Sequence, residues 1–481
     1  MAQSSDYWQV VSRVSEAQWT RLQGAREIRR IAQSRLCSLV EFARVHSALY
    51  RERYRDLPHG EIDAAALAPV GKRELMHRFD DWVTDPAIRR GGVEKFVADP
   101  GRIGDLYAGR YAVWKSSGST GEPGLFVHDV AALATYDAMI GAQIQAPAVA
   151  AAYAFGIVAH AGRAALIAAT GEHFASISSW RRVARAAHPG ATAEMSVMQP
   201  VAEWVDALNR HQPAFIASYS TVLALLAAEQ VARRLKVSPA IVWAGGEQLT
   251  EATRRAIERA FGCLVIDEYG ASECLSMGFG CPAGWLHVNA DWVILEPVDR
   301  DYRASPPGEL SHTALLTNLA NRVQPIIRYD IGDRVLANPR PCACGSPLPA
   351  IRIEGRCDEI VTLRRADGAR VDLLPMALTT AIEEASGLHW FQVVQRDDES
   401  LAVRFSEEAP QRRRAAWQAA RKALRTLLDR HALANVRVDL DALPPQPHPG
   451  SGKLRQVIAA QPHGHDAPNK QAARAPSWQR H

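Results

Sequence analysis

The sequence predicts an α/β protein: a large N-terminal domain of mostly parallel sheets covered by helices, with a β-rich subdomain, and then a small mobile α+β C-terminal domain. Three observations carry that prediction. Between residues 130 and 262, short apolar runs alternate with longer helical patterns across short connections, the order that builds a parallel sheet with helices on its faces. After about residue 290 the runs become short and β-like, and near residue 355 the pattern shifts again. A length of 481 residues with 47% apolar composition also suits more than one domain. The resulting bounds are 1–355 for the large domain and 356–461 for the small one. A His-, Pro- and Gln-rich tail over 462–481 reads as disordered.

Residues 1–55 read as helices, with Leu36, Leu39, Val40 and Ala43 on one face and Phe42 at its edge. Residues 58–71 read as loop, and the segment from Glu74 to Val83 as a short helix. A polar run, Lys115 to Pro123, separates two strand-like segments, Tyr111–Trp114 and Leu125–Val127. The Ala-rich stretch from Ala146 to Thr170 is interrupted by Gly156, His160, Gly162 and Arg163, and reads as buried strand and loop rather than a membrane span. Phe215–Tyr219 predicts a strand, and Thr221–Arg234 a helix burying Leu223, Leu225, Leu226 and Val231. Ala240–Trp243 predicts a strand that runs into Ala244-Gly245-Gly246-Glu247. A helix capped by Thr250 follows, then a strand at Leu264–Asp267. Three glycine-bearing strand ends, at 118–121, 245–246 and 270, should meet beyond the carboxyl ends of the strands, where such sheets gather ligands. Later β-like runs lie at Trp292–Leu295, Leu310–Leu316 and Ile326–Tyr329. The final segment alternates helices at Leu373–Ala385 and Ala415–Leu428 with strands at Trp390–Val394, Leu401–Phe405 and Val436–Leu440.

Bulk properties narrow the classes. A net charge of +4 with no basic stripe interleaved with aromatics argues against nucleic-acid binding. The cluster Arg412–Arg414 reads as a solvated helix face. Residues 1–10 are polar and do not suggest a signal peptide. Seven cysteines, an odd number, point to a reducing compartment, so a cytoplasmic location is expected. There is no internal repeat.

The chemistry-bearing stretch is Ser116-Ser117-Gly118-Ser119-Thr120-Gly121. Two glycines and four hydroxyls allow a sharp turn that aims several N–H groups into one concavity, a nest for phosphate oxygens. It lacks the Walker ending, and alone such a loop is an ordinary turn. Four further signals follow in order: Asp267-Glu268-Tyr269-Gly270-Ala271-Ser272-Glu273, Arg328-Tyr329-Asp330-Ile331-Gly332-Asp333, Gly355-Arg356-Cys357-Asp358 and Ser451-Gly452-Lys453.

Taken together, SSGSTGEP, YGASE, IRYDIGD, EGRCDE, CACG and SGKLRQV resemble the adenylate-forming superfamily of acyl-CoA synthetases, and within it the phenylacetate–CoA ligase-like branch, from about residue 30 to 460. The resemblance implies that residues 116–121 wrap the β- and γ-phosphates of ATP, with Thr120 the leading hydroxyl. Many relatives carry Lys where this chain has Glu122, so backbone N–H groups and Mg²⁺ must supply the charge. Glu273 matches the Mg²⁺-contacting carboxylate. Gly245, Gly246 and Glu247, with Asp267, Tyr269 and Gly270, match the adenine slot. Asp333 matches the acceptor of both ribose hydroxyls, and Arg356 sits on the ribose or phosphate side. Asp358 matches the hinge of the small domain. Lys453, carried on that domain, would bridge the incoming carboxylate and the α-phosphate as charge develops.

The implied reaction activates a carboxylic acid, aromatic by resemblance, to an acyl-adenylate with release of pyrophosphate. Acyl transfer to a thiol follows, with CoA as the leading acceptor. Transfer to a carrier-protein phosphopantetheine or an amine is the alternative, and a non-catalytic nucleotide-binding protein the reading from another class. By position, Tyr153, Phe155, His160 and Ala244 line the acid pocket, although aromatic residues and His in an apolar stretch more often belong to a core. Cys281, His287, Cys342 and Cys344 pair a C-x5-H with a C-x-C-G, ligand types that suit a closed tetrahedral Zn²⁺ site of structural kind. The same pattern fits reduced, partly buried cysteines, with Cys274 as a further thiol. Cys37, Cys263 and Cys357 read as small apolar fillers. Partners are thus a small acid and CoA or a carrier protein, with no nucleic acid and no membrane span; a homodimer is left open.

Overall fold

A nine-stranded mixed sheet organises the chain. The computed structural model describes residues 2–116, 123–197, 199–356, 360–373, 375–388, 390–406, 410–447 and 454–460. Six helices come first: α1 (Ala2–Leu22), α2 (Ala25–His46), α3 (Ala48–Arg53), α4 (Lys72–His77), α5 (Phe79–Trp82) and α6 (Arg90–Val97). The apolar stripe of α2 is buried at Leu36, Leu39, Val40 and Ala43, as its spacing dictates. Next, β1 (Ala112–Lys115) and β2 (Leu125–His128) form an antiparallel hairpin.

The stretch read as buried strand and loop is so only in its second half, where residues 164–168 form a buried strand. It begins with a helix, α8 (Pro147–His160), which follows α7 (Val130–Ile144). Pro147 starts α8 with a preset φ, alanines propagate it, and Ala161 ends it in the left-handed region at φ 51°. The interrupting Gly156 serves a close approach: a Cβ there would lie 2.9 Å from the Phe215 ring. No single helix among the described residues is long and apolar enough to cross a membrane. Together α7 and α8 meet that length and composition, but they bend by 95° at their junction.

The alternating region comprises β3 (Ala164–Ala168), α9 (Ala175–Ala184), β4 (Thr192–Ser196), α10 (Val201–His211), β5 (Phe215–Ser218), α11 (Ser220–Val231), β6 (Ile241–Gly245), α12 (Glu251–Phe261) and β7 (Leu264–Tyr269). These five strands are parallel in the order β7-β6-β5-β3-β4. In α11, Leu223 and Leu226 are fully buried and Leu225 partly so, whereas Val231, the last helical residue, is 73% exposed because the helix ends there. Thr250 caps α12 by accepting the Thr253 N–H at 3.1 Å.

Beyond β7 come β8 (Gly278–Gly280) and β9 (Leu286–Val288), and then β10 (Val293–Val298), β11 (Thr313–Asn318) and β12 (Ile326–Asp330), a separate antiparallel sheet. The nine-stranded sheet is completed by β13 (Asp333–Ala337) and β14 (Ala350–Arg356), in the order β13-β14-β9-β8-β7. These additions are antiparallel, because a turn rather than a crossover helix leads from β7 to β8. The sheet is therefore parallel on one side of β7 and antiparallel on the other.

The remaining elements are β15 (Val361–Arg364), β16 (Arg370–Leu373), α13 (Pro375–Ser386), β17 (Phe391–Asp397), β18 (Ser400–Phe405), α14 (Pro410–Arg430), β19 (Arg437–Leu440) and β20 (Val457–Ile458). Four of them form a sheet in the order β19-β18-β17-β20. Leu378, Ile382, Phe391, Val393, Leu424 and Leu428 make a core there that is separate from the two larger clusters of the preceding chain.

Candidate functional site

A cleft of about 1360 Å³ opens where the carboxyl ends of β5, β6 and β7 meet the strands β13 and β14. The turn after β7 builds its floor. Gly270 is required there, since a Cβ would lie 2.0 Å from the Leu275 carbonyl oxygen. The turn is held from behind: the Trp114 indole N–H donates to the Ser272 carbonyl at 2.7 Å, and the Asn318 amide donates to the Glu273 carbonyl at 2.9 Å.

Glu273 is thereby presented to the cleft almost fully buried, at 8% exposure. Tyr329 from β12 donates its hydroxyl to Glu273 Oε1 at 2.9 Å. Burial pushes the Glu273 carboxyl up from its ordinary value, while Tyr329, Arg356 and Lys72 act against that shift. A buried carboxylate so placed gains its charged form back when a cation arrives. Asp333, at the start of β13, takes the Tyr269 hydroxyl on Oδ2 at 2.7 Å and Arg356 on Oδ1 at 3.1 Å. Both oxygens of this carboxylate are therefore held in place at the cleft wall. By contrast Asp330, three residues earlier, spends its carboxylate on Thr313 and Tyr302 and shapes the turn.

Gly245, Gly246 and Glu247 border the cleft, as do Asp267, Tyr269 and Gly270. Asp267 faces Arg254 of α12 at 3.3 Å, and burial raises its carboxyl to about 6. Ser116 also borders the cleft. Its Oγ accepts the Gly124 N–H at 2.8 Å and so closes the hairpin that carries the Ser/Gly run. Ser117, Gly118, Ser119, Thr120, Gly121 and Glu122 lie outside the described residues, as do Asp358 and Lys453.

Two carboxylates tie the last core unit to the preceding chain. Glu247 Oε2 accepts from the Thr221 hydroxyl at 2.7 Å, and its Oε1 accepts the backbone N–H of Leu454 at 3.1 Å. Glu383 of α13, 4% exposed, accepts the Thr250 hydroxyl at 2.6 Å. Leu454 and Gln456 thus line the same cleft as Glu273 and Asp333.

Of the residues expected around an acid, Tyr153 borders the cleft and stacks on Phe215 at 4.9 Å. Phe155 and His160 do not. Phe155 is 60% exposed on α8, and His160 is the last residue of that helix, which carries both along the sheet rather than into the cleft. Ala244 also misses it: fully buried, it points into the core with Val242, because successive strand residues face opposite ways. The periodicity gave no sign of Tyr329, Glu383, Lys72 or Lys115, all of which matter for the surroundings of the cleft. Lys72 and Lys115 line it, the latter paired with Glu172 at 2.7 Å.

A second cluster sits at the sheet edge. Cys281 follows β8, His287 lies in β9, and Cys342 and Cys344 occupy the loop between β13 and β14. Their ligand atoms all lie within 4.8 Å of one another. Cys281 Sγ and Cys342 Sγ are 3.7 Å apart, near the roughly 3.8 Å edge of a tetrahedron with ~2.3 Å metal–sulfur bonds. His287 Nε2 lies 3.1 Å from Cys344 Sγ, and its Nδ1 lies 3.0 Å from the Leu348 carbonyl, a partner that leaves Nε2 turned to the thiols. Cys274 is buried away from this group.

No family model matches the chain. Over 239 residues, 44% of this chain and 52% of the relative, it is 27% identical to a phenylacetate–coenzyme A ligase from Thermus thermophilus; the match thus spans about half the length of that curated relative. Among solved structures it is similar to 2-hydroxyisobutyryl-CoA ligase in the postadenylation state with 2-HIB-AMP, at TM-score 0.61 and 22% identity, covering 91% of this chain and 90% of the other. Against the same ligase in the thioesterification state the TM-score is 0.51, at 22% identity and 90% coverage of both chains. The chain therefore has the fold of the adenylate-forming acid–CoA ligases and resembles their phenylacetate–CoA ligase branch in sequence.

Proposed function

We propose that the protein joins a carboxylic acid to CoA through an acyl-adenylate. The acid's carboxylate oxygen attacks the α-phosphorus of ATP and the bond to pyrophosphate breaks. The CoA sulfur then attacks the acyl carbon and AMP leaves. The observation that carries this reading is the convergence of Glu273, Asp333, Tyr269 and Arg356 with Leu454, the chain neighbour of Lys453, on one cleft. In this reading Asp333 takes the ribose hydroxyls, Gly245 to Glu247 and Tyr269 flank the adenine, and Glu273 would hold Mg²⁺. The residues present fit that cation: a buried carboxylate whose proton affinity is raised by burial is paired with a tyrosine hydroxyl. Mg²⁺ supplies neutralisation of the phosphates, and the run Ser117 to Gly121 adds backbone donors. Lys453 bridges the two anions, and Asp358 is the pivot for a lid spanning residues 356–461.

The test is acid-dependent pyrophosphate release over a panel of aryl and alkyl acids, with and without CoA. Release with at least one acid, and thioester only with CoA, is the expected result. ATP-dependent release with no acid dependence would remove the ligase reading. Product formed with an amine or a phosphopantetheinyl carrier but not with CoA would change the acceptor. A cytoplasmic setting suits both the nucleotide supply and reduced thiols.

Zn²⁺ belongs to the same proposal as a structural ion on Cys281, His287, Cys342 and Cys344, with all four positions filled by protein. It would clamp the β8–β9 and β13–β14 connections, and residues 281–286 of the first border the cleft. Metal analysis of the purified protein should find one zinc per chain. Removing it with a strong chelator should lower Tm and weaken ATP binding together, and Cys344→Ser should do the same. Metal-free protein of unchanged Tm would remove the ion.

A further inference from the structure

Along β7, successive side chains point to opposite faces of the sheet. Asp267 and Tyr269 turn towards Arg254 and Asp333. Glu268 turns the other way, the direction also taken by Leu264 and Ile266, which pack under α7 and α8. On that face Glu268 borders the cleft beside Ile140, Ile144, Tyr153 and Trp243.

The carboxyl of Glu268 is only half satisfied. Its Oε2 accepts the Trp243 indole N–H at 2.6 Å, and Trp243 is itself held edge-on to Phe279 with ring centroids 5.8 Å apart. Oε1 is buried and has no hydrogen-bond partner among the described residues. The Ser276 hydroxyl approaches and favours the charged form, yet it too is buried without a hydrogen-bond partner. Burial, with Asp267 adding to it, raises the Glu268 carboxyl to about 7. The pairing of Gly245 with Glu268 is a backbone register, so within the sheet the carboxyl serves the Trp243 indole through Oε2 and leaves Oε1 over. A buried acceptor without a donor costs free energy, and a hydrocarbon ligand would leave it unpaired.

The inference rests on the ligase reading above. In that reading the acid's carboxylate points to the nucleotide and its body extends past Gly245 towards the sheet floor, where Trp243 and Glu268 lie. We infer that Glu268 selects the acid: the preferred substrate carries a hydrogen-bond donor, an amine or a hydroxyl, at the end remote from its carboxylate, and that donor completes the Glu268 carboxyl. Sites built to bond a polar substituent reject the analogue that lacks it far more strongly than apolar pockets reject one methylene. The walls contributed by Tyr153, Phe215 and Trp243 suit a flat ring as the body of such an acid.

The experiment compares ring-amino and ring-hydroxy isomers of benzoate and phenylacetate with the unsubstituted parents, scoring kcat/KM for acid-dependent pyrophosphate release. Wild type should favour at least one donor-bearing isomer over its parent by about tenfold or more. Comparing the amino with the hydroxy series tells which donor is used. In Glu268→Leu the preference should reverse, through KM more than kcat. Glu268→Gln, which keeps an acceptor oxygen in the same place, should retain part of it. Parents used as well as, or better than, every donor-bearing isomer by wild type would overturn this inference and leave the ligase reading standing. So would a preference that survives unchanged in Glu268→Leu. Pyrophosphate release with no acid at all would overturn both.

Discussion

Lys453→Ala is expected to abolish acyl-adenylate formation, by about 10²–10³-fold, the range for losing one preorganised charge at a developing anion. Transfer from a chemically prepared acyl-adenylate to CoA should change only a few-fold. The asymmetry follows from the chemistry: two anions meet in the first half-reaction, and a neutral thioester forms in the second. It also follows from the arrangement, in which the backbone of Leu454 is tied to Glu247 beside the cleft. ATP–pyrophosphate exchange and a thioester assay measure the two halves separately. Equal losses in both would refute the role.

Glu273→Gln should cost about 10²-fold in adenylation while leaving the fold intact, since the amide oxygen can still accept from Tyr329. The loss should appear as a raised Mg²⁺ requirement. In wild type the requirement should rise on acidification, because burial lifts the Glu273 carboxyl above its ordinary value and protons compete with the cation from a higher pH. Glu273→Gln should lack that dependence. Stability has the opposite sign. A carboxyl raised in the folded state binds a proton more tightly there than in the unfolded chain, so its contribution is fullest in acid and is lost as pH rises through the folded value. Without Mg²⁺ at neutral pH, the Gln variant should therefore melt higher than wild type. A lower Tm would mean that the carboxylate is needed for the fold rather than for the cation.

Much of this architecture was legible because local signals and the long-range answer agree. The alternation from 215 to 269 gave β5 to β7 and their helices nearly residue by residue, and Thr250 caps α12 as its side chain suggests. The Cys/His spacing was legible too, since the four ligand atoms do gather. What failed has particular causes. The Ala-rich run after residue 146 has the composition of a buried strand but starts at a proline and propagates on alanine, so a helix wins. Phe155 and His160 were assigned by position in the chain, whereas helical geometry turns them away from the cleft. Partners such as Tyr329 for Glu273 and Thr250 for Glu383 lie 56 and 133 residues apart, and no periodicity reports a contact made across the fold.

The hydroxyl of Thr250 is occupied in both directions. It receives the first-turn amide of its own helix and, as a donor, reaches Glu383 on the neighbouring unit. A contact that borrows an atom already fixed by a helix start needs no ordering of its own, so it forms with little entropy to lose. Drift at this position would be felt twice, as fraying of α12 and as loss of the Glu383 contact, which makes a single methyl-bearing alcohol the joint between two hydrophobic cores.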